Sequence, residues 1–272
     1  MPVFADITLG RYVAADSCVH RLDPRTKLLG TMVAMAAALA APGFGPLLLY
    51  VGFVAAAAAL TGLPPRLLWG NLRPFLWLFL FTLLLHALMT PGETLVVVPW
   101  LDQPITRQGC LRGLFYCLRL AVVMVTAALL TLTTAPMALS QALERLLRPL
   151  ARLGVPVGEL ALMVTIALRF IPVLMDEAER LRQAQLARGA DFGGNPVRRA
   201  RSLIPLLVPL FVSAFARADR LALAMESRCY RSGAPRTHLH ELRYTAADAV
   251  AASAVLLMVF GLWLLASGQG GR

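Results

Sequence analysis

The chain has 272 residues, 58% of them hydrophobic, and its mean hydropathy is +0.68. This composition lies outside the range of soluble domains and indicates a membrane protein. A formal charge of +11 could suggest nucleic acid, but 16 of the 26 Lys and Arg residues fall in 134–244, four in 1–27 and two in 62–73. Because positive residues collect on the cytoplasmic side of membrane proteins, the excess of Lys and Arg indicates the orientation of the chain in the membrane. The N-terminus and the segment 134–244 are predicted to be cytoplasmic, and the C-terminus external.

Apolar runs of suitable length predict five transmembrane helices, with four or six as the alternatives. They cover 28–41, 46–63, 74–89, 113–133 and 246–266. Asp23 as N-cap and Pro24 as first helical residue predict where the first helix begins. Arg25 and Lys27 are then expected at the level of the lipid headgroups. The segment 1–27 does not have the pattern of a cleavable signal peptide.

The connections between these spans are predicted from turn residues. The sequence Pro-Gly-Phe-Gly-Pro at 42–46 is typical of a tight turn between the first two spans, and 62–73 is expected to be a loop. The segment 90–113 contains three prolines and no helical period, so it is expected to be an external connection with an extended stretch at 95–98.

The resulting fold class is an all-α membrane protein with a cytoplasmic block of long amphipathic helices. Its predicted parts are a cytoplasmic N-terminal segment (1–27), four transmembrane helices (28–133), the cytoplasmic block (134–244) and a last transmembrane helix with its tail (245–272).

Three amphipathic helices are predicted inside the cytoplasmic block, from apolar residues spaced three and four apart. They begin at or just after Pro136, Pro156 and Pro196, and end near Gly154, at Arg188-Gly189 and between Ser227 and Gly233. The second and third have about 30 residues each, or about 45 Å of helix. Charged residues interrupt their apolar stripes, so neither is expected to cross a bilayer.

The second and third helices both finish on an arginine between small residues. The two triplets are Ala187-Arg188-Gly189 and Ser227-Arg228-Cys229. An arginine in this setting offers five donors with little steric shielding, which suits carboxylates or backbone carbonyls of a partner. The alternative for each is an ordinary C-terminal arginine that interacts with the helix dipole. Two such ends on successive helices of one block favour partner docking.

Residue patterns for catalysis or metal binding are weak. Lys27 is the only lysine, and its surroundings do not resemble a phosphate-binding loop, which excludes a P-loop ATPase. His238 and His240 could form a metal pair, but without a third ligand they are more typical of an exposed loop. His86, in the third predicted span, is interpreted as a helix–helix hydrogen-bonding group. No cofactor or metal is predicted.

Two ionisable residues fall inside predicted spans, where such groups require an explanation. Arg119 and Asp248 both lie close to a membrane face, so snorkelling or capping is the interpretation. The four cysteines show no metal-ligand spacing and are interpreted as reduced and structural. They are Cys18, Cys110, Cys117 and Cys229.

Several motifs together resemble a known family. They are Leu9-Gly10-Arg11-Tyr12, Ser17 with His20-Arg21-Leu22-Asp23-Pro24-Arg25-Thr26-Lys27, Leu168-Arg169-Phe170-Ile171-Pro172, Gln183-Ala184-Gln185-Leu186-Ala187-Arg188-Gly189 and Ala224-Met225-Glu226-Ser227-Arg228-Cys229-Tyr230. On these motifs the sequence resembles the transmembrane T component of energy-coupling factor (ECF) transporters, the ABC-type importers of vitamins and metal ions. The opening residues and the Ser17/His20 pattern are more similar to the general T component than to the cobalt- or nickel-dedicated type.

The resemblance implies a non-enzymatic subunit in the cytoplasmic (inner) membrane of a prokaryote. Its partners would be two ABC ATPase subunits, identical or different, and a small membrane-embedded S component that binds the substrate. The two triplets would sit in grooves on the ATPases through Arg188 and Arg228. Cys229 departs from the glycine that often closes the second triplet, which leaves open whether that helix continues toward Gly233.

Three other interpretations fit part of these observations. A conventional ABC permease, which lines the substrate path itself, would be expected to have a short coupling helix in place of a block as long as 134–244. A membrane-integral enzyme would need the reactive groups that are missing. A membrane scaffold without a transport role is compatible with the helices, and only the family motifs argue against it.

Overall fold

Helices dominate the computed structural model, which describes residues 12–13, 15–98, 103–193, 195–231 and 244–269. Within these residues lie nine α-helices: α1 (Pro24–Ala40), α2 (Phe44–Thr61), α3 (Pro65–Leu72), α4 (Leu76–Met89), α5 (Arg107–Thr133), α6 (Pro136–Leu147), α7 (Val157–Ala187), α8 (Pro196–Ser227) and α9 (Ala246–Gln269). The described residues also contain two short strands, β1 (Thr94–Val98) and β2 (Gln103–Thr106), and two 3₁₀ segments. The prediction of an all-α membrane protein is confirmed.

Six described helical segments are long and apolar enough to cross a membrane, one more than the favoured count of five and within the predicted range of four to six. They are Phe44–Thr61, Pro65–Met89, Arg107–Thr133, Val157–Ala187, Arg201–Ser227 and Ala246–Ser267. Four predicted spans are among them. The predicted first span is not, and α1, with 17 residues, is shorter than all six. The other two lie in α7 and α8, because each contains a long apolar stretch with few charged residues. The expectation that charge excludes these two helices by composition is therefore wrong.

The chain divides, over its described residues, into two compact units. One contains Ser140–His240, and the other contains Gly10–Leu139 and Glu241–Arg272. The second unit therefore holds α1 to α5 and α9, and the first holds most of α6 with α7 and α8.

In the larger unit, α5 is the helix against which most others pack. It contacts α1, α2, α3 and α4, while α9 contacts α1 and α2. The buried core consists of Ala34, Ala38, Tyr50, Val54, Leu63, Val122, Leu129, Leu132, Met258 and Leu262. Alanines in α1 let the neighbouring backbones approach closely. One buried hydrogen bond joins α2 to α5, between the hydroxyls of Tyr50 and Thr126 at 2.7 Å.

Helix α1 begins where the sequence predicts. Asp23 is its N-cap, and the carboxylate accepts the backbone N–H of Arg25 at 2.8 Å. The turn that follows α1 is shorter than predicted, because Gly43 already caps α2 and Phe44 is helical.

The predicted loop at 62–73 is wrong, since α3 occupies 65–72. Pro65 starts this helix, where a missing N–H has no cost. The chain then continues into α4 through a short 3₁₀ turn, Arg73–Phe75, which accommodates Pro74. Prolines that look like loop residues in the sequence thus lie at helix starts.

The connection between α4 and α5 is a β-hairpin. The extended stretch predicted at 95–98 is confirmed as part of β1, which pairs antiparallel with β2. The sequence does not predict β2, nor that α5 starts at Arg107, well before the predicted span at 113–133. Thr106 caps this start by accepting the N–H of Gly109 at 3.0 Å.

Two glycines one turn apart let α5 lie close against α4. A Cβ on Gly109 would lie 2.5 Å from the carbonyl oxygen of His86, and one on Gly113 would lie 3.1 Å from that of Leu83. Small residues four apart on one helix face allow such backbone contact. The early start of α5 is therefore tied to its packing on α4.

In the other unit, the three predicted helices are confirmed. After α6 the chain forms a 3₁₀ segment, Arg148–Leu153, closed by Gly154 in the left-handed conformation with φ 85°. Helices α7 and α8 have 31 and 32 residues and contact each other.

Candidate partner-docking site

Helix α7 ends at the first arginine triplet in a Schellman motif. Arg188 is the C-cap residue, and Gly189 has a φ of 85°. The N–H of Gly189 donates to the carbonyl of Leu186 at 2.9 Å, and that of Ala190 donates to the carbonyl of Gln185 at 3.0 Å. This pattern satisfies the last helical carbonyls. The predicted left-handed cap at Gly189 is confirmed.

Helix α8 ends at the second triplet in the same motif. Arg228 is the C-cap residue, the N–H of Cys229 donates to Glu226 at 2.9 Å, and that of Tyr230 donates to Met225 at 3.0 Å. Cys229 takes the left-handed conformation itself, with a φ of 57°. The possibility that this helix continues toward Gly233 is therefore wrong: α8 ends at Ser227 without a glycine.

Cys229→Gly is expected to stabilise the protein by about 1 kcal/mol, because glycine adopts the left-handed conformation without the steric cost of a Cβ. Cys229→Val is expected to do the opposite, since a β-branched side chain is still less suited to this conformation. Thermal unfolding of the detergent-solubilised protein measures both. Equal melting temperatures for the wild type and the two variants would contradict the strain assigned to Cys229.

Both arginine side chains are exposed, as are the residues on either side of them. Within the described part of the chain, neither guanidinium takes part in a hydrogen bond or an ion pair. The C-terminal carbonyls of both helices already accept backbone N–H groups, so neither arginine is needed to cap its helix. Ten N–H donors, five on each arginine, thus face outward at two helix ends.

An internal repeat, which the sequence reasoning missed, underlies this similarity. Residues 178–189 and 218–229 are identical at five of twelve aligned positions: Ala178/Ala218, Arg180/Arg220, Leu181/Leu221, Ala184/Ala224 and Arg188/Arg228. The sequence offset is the same in all five pairs. Aligning the two helices with each other would have revealed it.

An ion pair joins α7 and α8 immediately before the repeat, at equivalent positions of the two helices. Arg217 Nη2 donates to Glu177 Oε2 at 3.0 Å, and the two side chains are 25% and 31% exposed. Glu177 and Arg217 are 40 residues apart, as are the paired positions of the repeat. They therefore precede Arg188 and Arg228 by equal lengths of helix. The helices are thus linked at matching distances from their ends.

A buried polar cluster lies around Asp248 in the larger unit. The Asp248 carboxylate, 3% exposed, accepts the backbone N–H of Asp23 at 2.7 Å. It also accepts the N–H of Thr245 at 2.8 Å and the hydroxyl of Thr245 at 2.7 Å. Because Thr245 precedes α9, this is one half of a capping box. The capping predicted for Asp248 is confirmed, and the same carboxylate also binds the start of α1.

Lys27 belongs to the same buried region. Its ammonium donates to the carbonyl of His20 at 2.9 Å and to that of Thr133, the last residue of α5, at 3.1 Å. Lys27 is 9% exposed, so its ammonium binds carbonyl groups of this chain, while its predicted level at the lipid headgroups stays a prediction. Arg25 also points inward, with its guanidinium 5.3 Å from the ring centre of Tyr244.

His20 ties the segment before α1 into this region. Its Nε2 faces the carbonyl of Val13 at 3.1 Å, so Nε2 carries the proton and Nδ1 accepts the hydroxyl of Ser17 at 2.7 Å. The N–H of Val13 in turn donates to Leu132 at 3.1 Å. The Ser17/His20 pattern therefore holds the amino-terminal segment against the end of α5.

Arg119 caps a helix, as predicted. Its guanidinium donates to the carbonyl of Ala41, the C-cap residue of α1, and lies 4.5 Å from the ring centre of Phe115.

His86 does not form the predicted bond to another helix. Its Nδ1 donates to Thr82 within α4 at 2.9 Å, while its ring packs 4.6 Å from that of Tyr116.

The described residues contain no group of three potential metal ligands. His238 and His240 lie outside the described residues, as does Leu9-Gly10-Arg11. All four cysteines are free thiols, and the Cys117 thiol donates to the carbonyl of Phe79 at 3.1 Å. Among the predicted functional residues, the two arginine triplets are the ones for which the structure gives a defined geometry.

Comparison with known proteins agrees with these motifs. The family model CbiQ, described as cobalt transport protein, matches residues 15–239. Relatives named energy-coupling factor transporter transmembrane protein EcfT include that of Acidaminococcus fermentans, 44% identical over 96% of both chains, and that of Thermosediminibacter oceani, 47% identical over 94% of this chain and 96% of its own. The relative of that name from Thermanaerovibrio acidaminovorans is 44% identical over 99% of this chain and all of its own.

These matches cover nearly the whole sequence, and the relatives carry the name of the general T component. Together with the six apolar helices, they make this a multi-pass membrane protein of a transporter. The chain therefore belongs to the family of ECF transporter transmembrane proteins, and within it to the general type.

Proposed function

We propose that this chain is the non-catalytic coupling subunit of an ECF-type importer. It transmits the ATP-driven motion of two ABC ATPase subunits to a membrane-embedded S component that takes up a vitamin or a metal ion. The observation that carries this proposal is the pair of exposed arginines that end α7 and α8 in identical Schellman motifs. Two equivalent ends suit two equivalent ATPase grooves.

The three helices α6 to α8 lie on the cytoplasmic side in this proposal. The concentration of basic residues in 134–244 supports that side, since positive residues mark cytoplasmic segments. Two further features support a position outside the bilayer. Arg169 lies in the middle of the apolar half of α7, and Pro205 and Pro209 lie within the apolar half of α8. The membrane is the cytoplasmic membrane of a prokaryote, with the N-terminus also inside.

The apolar halves of α7 and α8 supply the surface for the S component. Exposed side chains on α8 include Val208, Phe211, Val212 and Phe215, each at least 60% exposed. So large an exposed apolar surface is a common sign of a partner. Both helices are continuous from their apolar halves to their arginine ends, so movement at the arginine ends is carried to the apolar ends.

Purification of the tagged chain in mild detergent from the cells in which it naturally occurs tests this function. We expect two ATPase subunits and a small apolar subunit to co-purify with the chain, and the complex to hydrolyse ATP. A conventional permease would purify with ATPases but move substrate without an S component. A scaffold would purify without ATPases, and either outcome would overturn the proposal.

A further inference from the structure

Glu177 and Arg217 are placed where they can control the spacing of the two docking arginines. Each lies about 16 Å of helix before its triplet arginine, at a rise of about 1.5 Å per residue. The helix segments that run from Glu177 to Arg188 and from Arg217 to Arg228 are therefore of equal length. Their separation at the ends depends on the angle between the helices, and it can reach about 33 Å when they point in opposite directions.

The contact itself is suited to hold that angle. Arg217 and Glu177 meet at 3.0 Å with both side chains mostly shielded from solvent, so the attraction is screened less than at an open surface. The pair joins two helices, whereas the neighbouring pair Glu179–Arg182, at 2.6 Å, lies within α7 alone. Only the first of these two pairs can resist rotation of one helix against the other.

We propose that Glu177 and Arg217 are positioning residues that fix the angle between α7 and α8, and hence the distance between Arg188 and Arg228. The role of this angle in ATPase docking rests on the proposed function, whereas the effect of the ion pair on the angle does not. Two rigid Schellman caps present the arginines, and the ion pair sets how far apart they are. A partner with two grooves at a given spacing binds both arginines only at the matching angle.

Electron spin resonance distance measurements on the full chain in lipid nanodiscs test the geometry. Nitroxide labels go on Ala184→Cys and Ala224→Cys, exposed alanines at equivalent repeat positions. In this background Cys18, Cys110 and Cys117 become serine, and Cys229 becomes glycine to suit its backbone. The chain with Glu177 and Arg217 intact is expected to give one narrow distance distribution.

Charge reversal then decides the role of the pair. Glu177→Arg places two arginines face to face, and we expect the distribution to broaden or shift. Adding Arg217→Glu reverses the pair and is expected to restore the narrow distribution. The matched control Arg182→Glu breaks the pair within α7 and is expected to leave the distribution unchanged. An unchanged distribution in Glu177→Arg, or no recovery in the double reversal, overturns the inference.

ATPase affinity separates this inference from the proposed function. Glu177→Arg keeps both docking arginines, so it is expected to weaken binding of the ATPase pair by on the order of tenfold through lost simultaneous contact, with recovery in the double reversal. If no ATPase binds the unaltered chain, the proposed function fails while the distance result stands. If ATPases bind all variants equally, the spacing role fails while the proposed function stands.

Discussion

Replacing Arg188 and Arg228 with glutamate in one chain is expected to abolish co-purification of the ATPases. Each guanidinium is exposed and free of described partners, so its donors are available to a groove on another protein. Removing one member of a desolvated charge contact costs about 2–5 kcal/mol, and reversal adds repulsion. Each contact therefore accounts for at least about thirtyfold in affinity. Binding of purified ATPases to the chain in nanodiscs measures the loss.

The control for this prediction comes from the internal repeat. Arg180 and Arg220 are exposed, occupy equivalent positions earlier in the two helices, and give the same change of charge when replaced by glutamate. The Arg180→Glu, Arg220→Glu variant is expected to retain most ATPase binding. If this control loses binding as fully as the triplet variant, the interaction reflects general charge and not docking at the two helix ends.

Asp248→Ala is expected to destabilise the larger unit by about 3–5 kcal/mol, which is large beside the usual effect of a single substitution. The carboxylate accepts three hydrogen bonds at 2.7 to 2.8 Å, two of them from the backbone N–H groups of Asp23 and Thr245. Alanine leaves both N–H groups without their acceptor, that of Asp23 in a buried site and that of Thr245 in a partly buried one. The starts of α1 and α9 then lose their link, and the melting temperature in detergent is expected to fall sharply.

Two comparisons sharpen the stability prediction. Asp248→Asn keeps one acceptor oxygen of similar position, so its loss is expected to be intermediate. Asp16→Ala removes a carboxylate that is 93% exposed and is expected to change stability by less than about 0.5 kcal/mol. Equal melting temperatures for Asp248→Ala and Asp16→Ala would show that the buried cluster does not hold the two helices together.

The helices of this protein were largely predictable because each follows from local signals. Asp23 and Pro24 mark the start of α1, and the spacing of apolar residues marks α7 and α8. The start of α5 was not predictable, because residues 107–112 become helical through packing of Gly109 and Gly113 on α4. The favoured prediction of five membrane spans also differs from the six candidate segments of the structure, since composition alone does not separate α7 and α8 from the other apolar helices.

The candidate site was predictable in its residues but not in its geometry. The triplets are visible as a pattern, whereas the left-handed conformation of Cys229 goes against the usual preference for glycine. Glu177 contacts Arg217 on the next long helix, and Lys27 contacts Thr133 four helices later in the chain. Contacts at such separations are set by tertiary packing, and periodicity along one helix carries no information about them.

The burial of Lys27 has a practical consequence for studies of the assembled transporter. It is the only lysine in the sequence, and in the fold its ammonium is enclosed by carbonyl groups. Reagents that acylate lysine side chains, including common ester dyes and cross-linkers, therefore meet no accessible lysine target on this chain. In the proposed complex such reagents would modify accessible lysines of the ATPases and the S component, while the lysine side chain of this subunit stays unmodified.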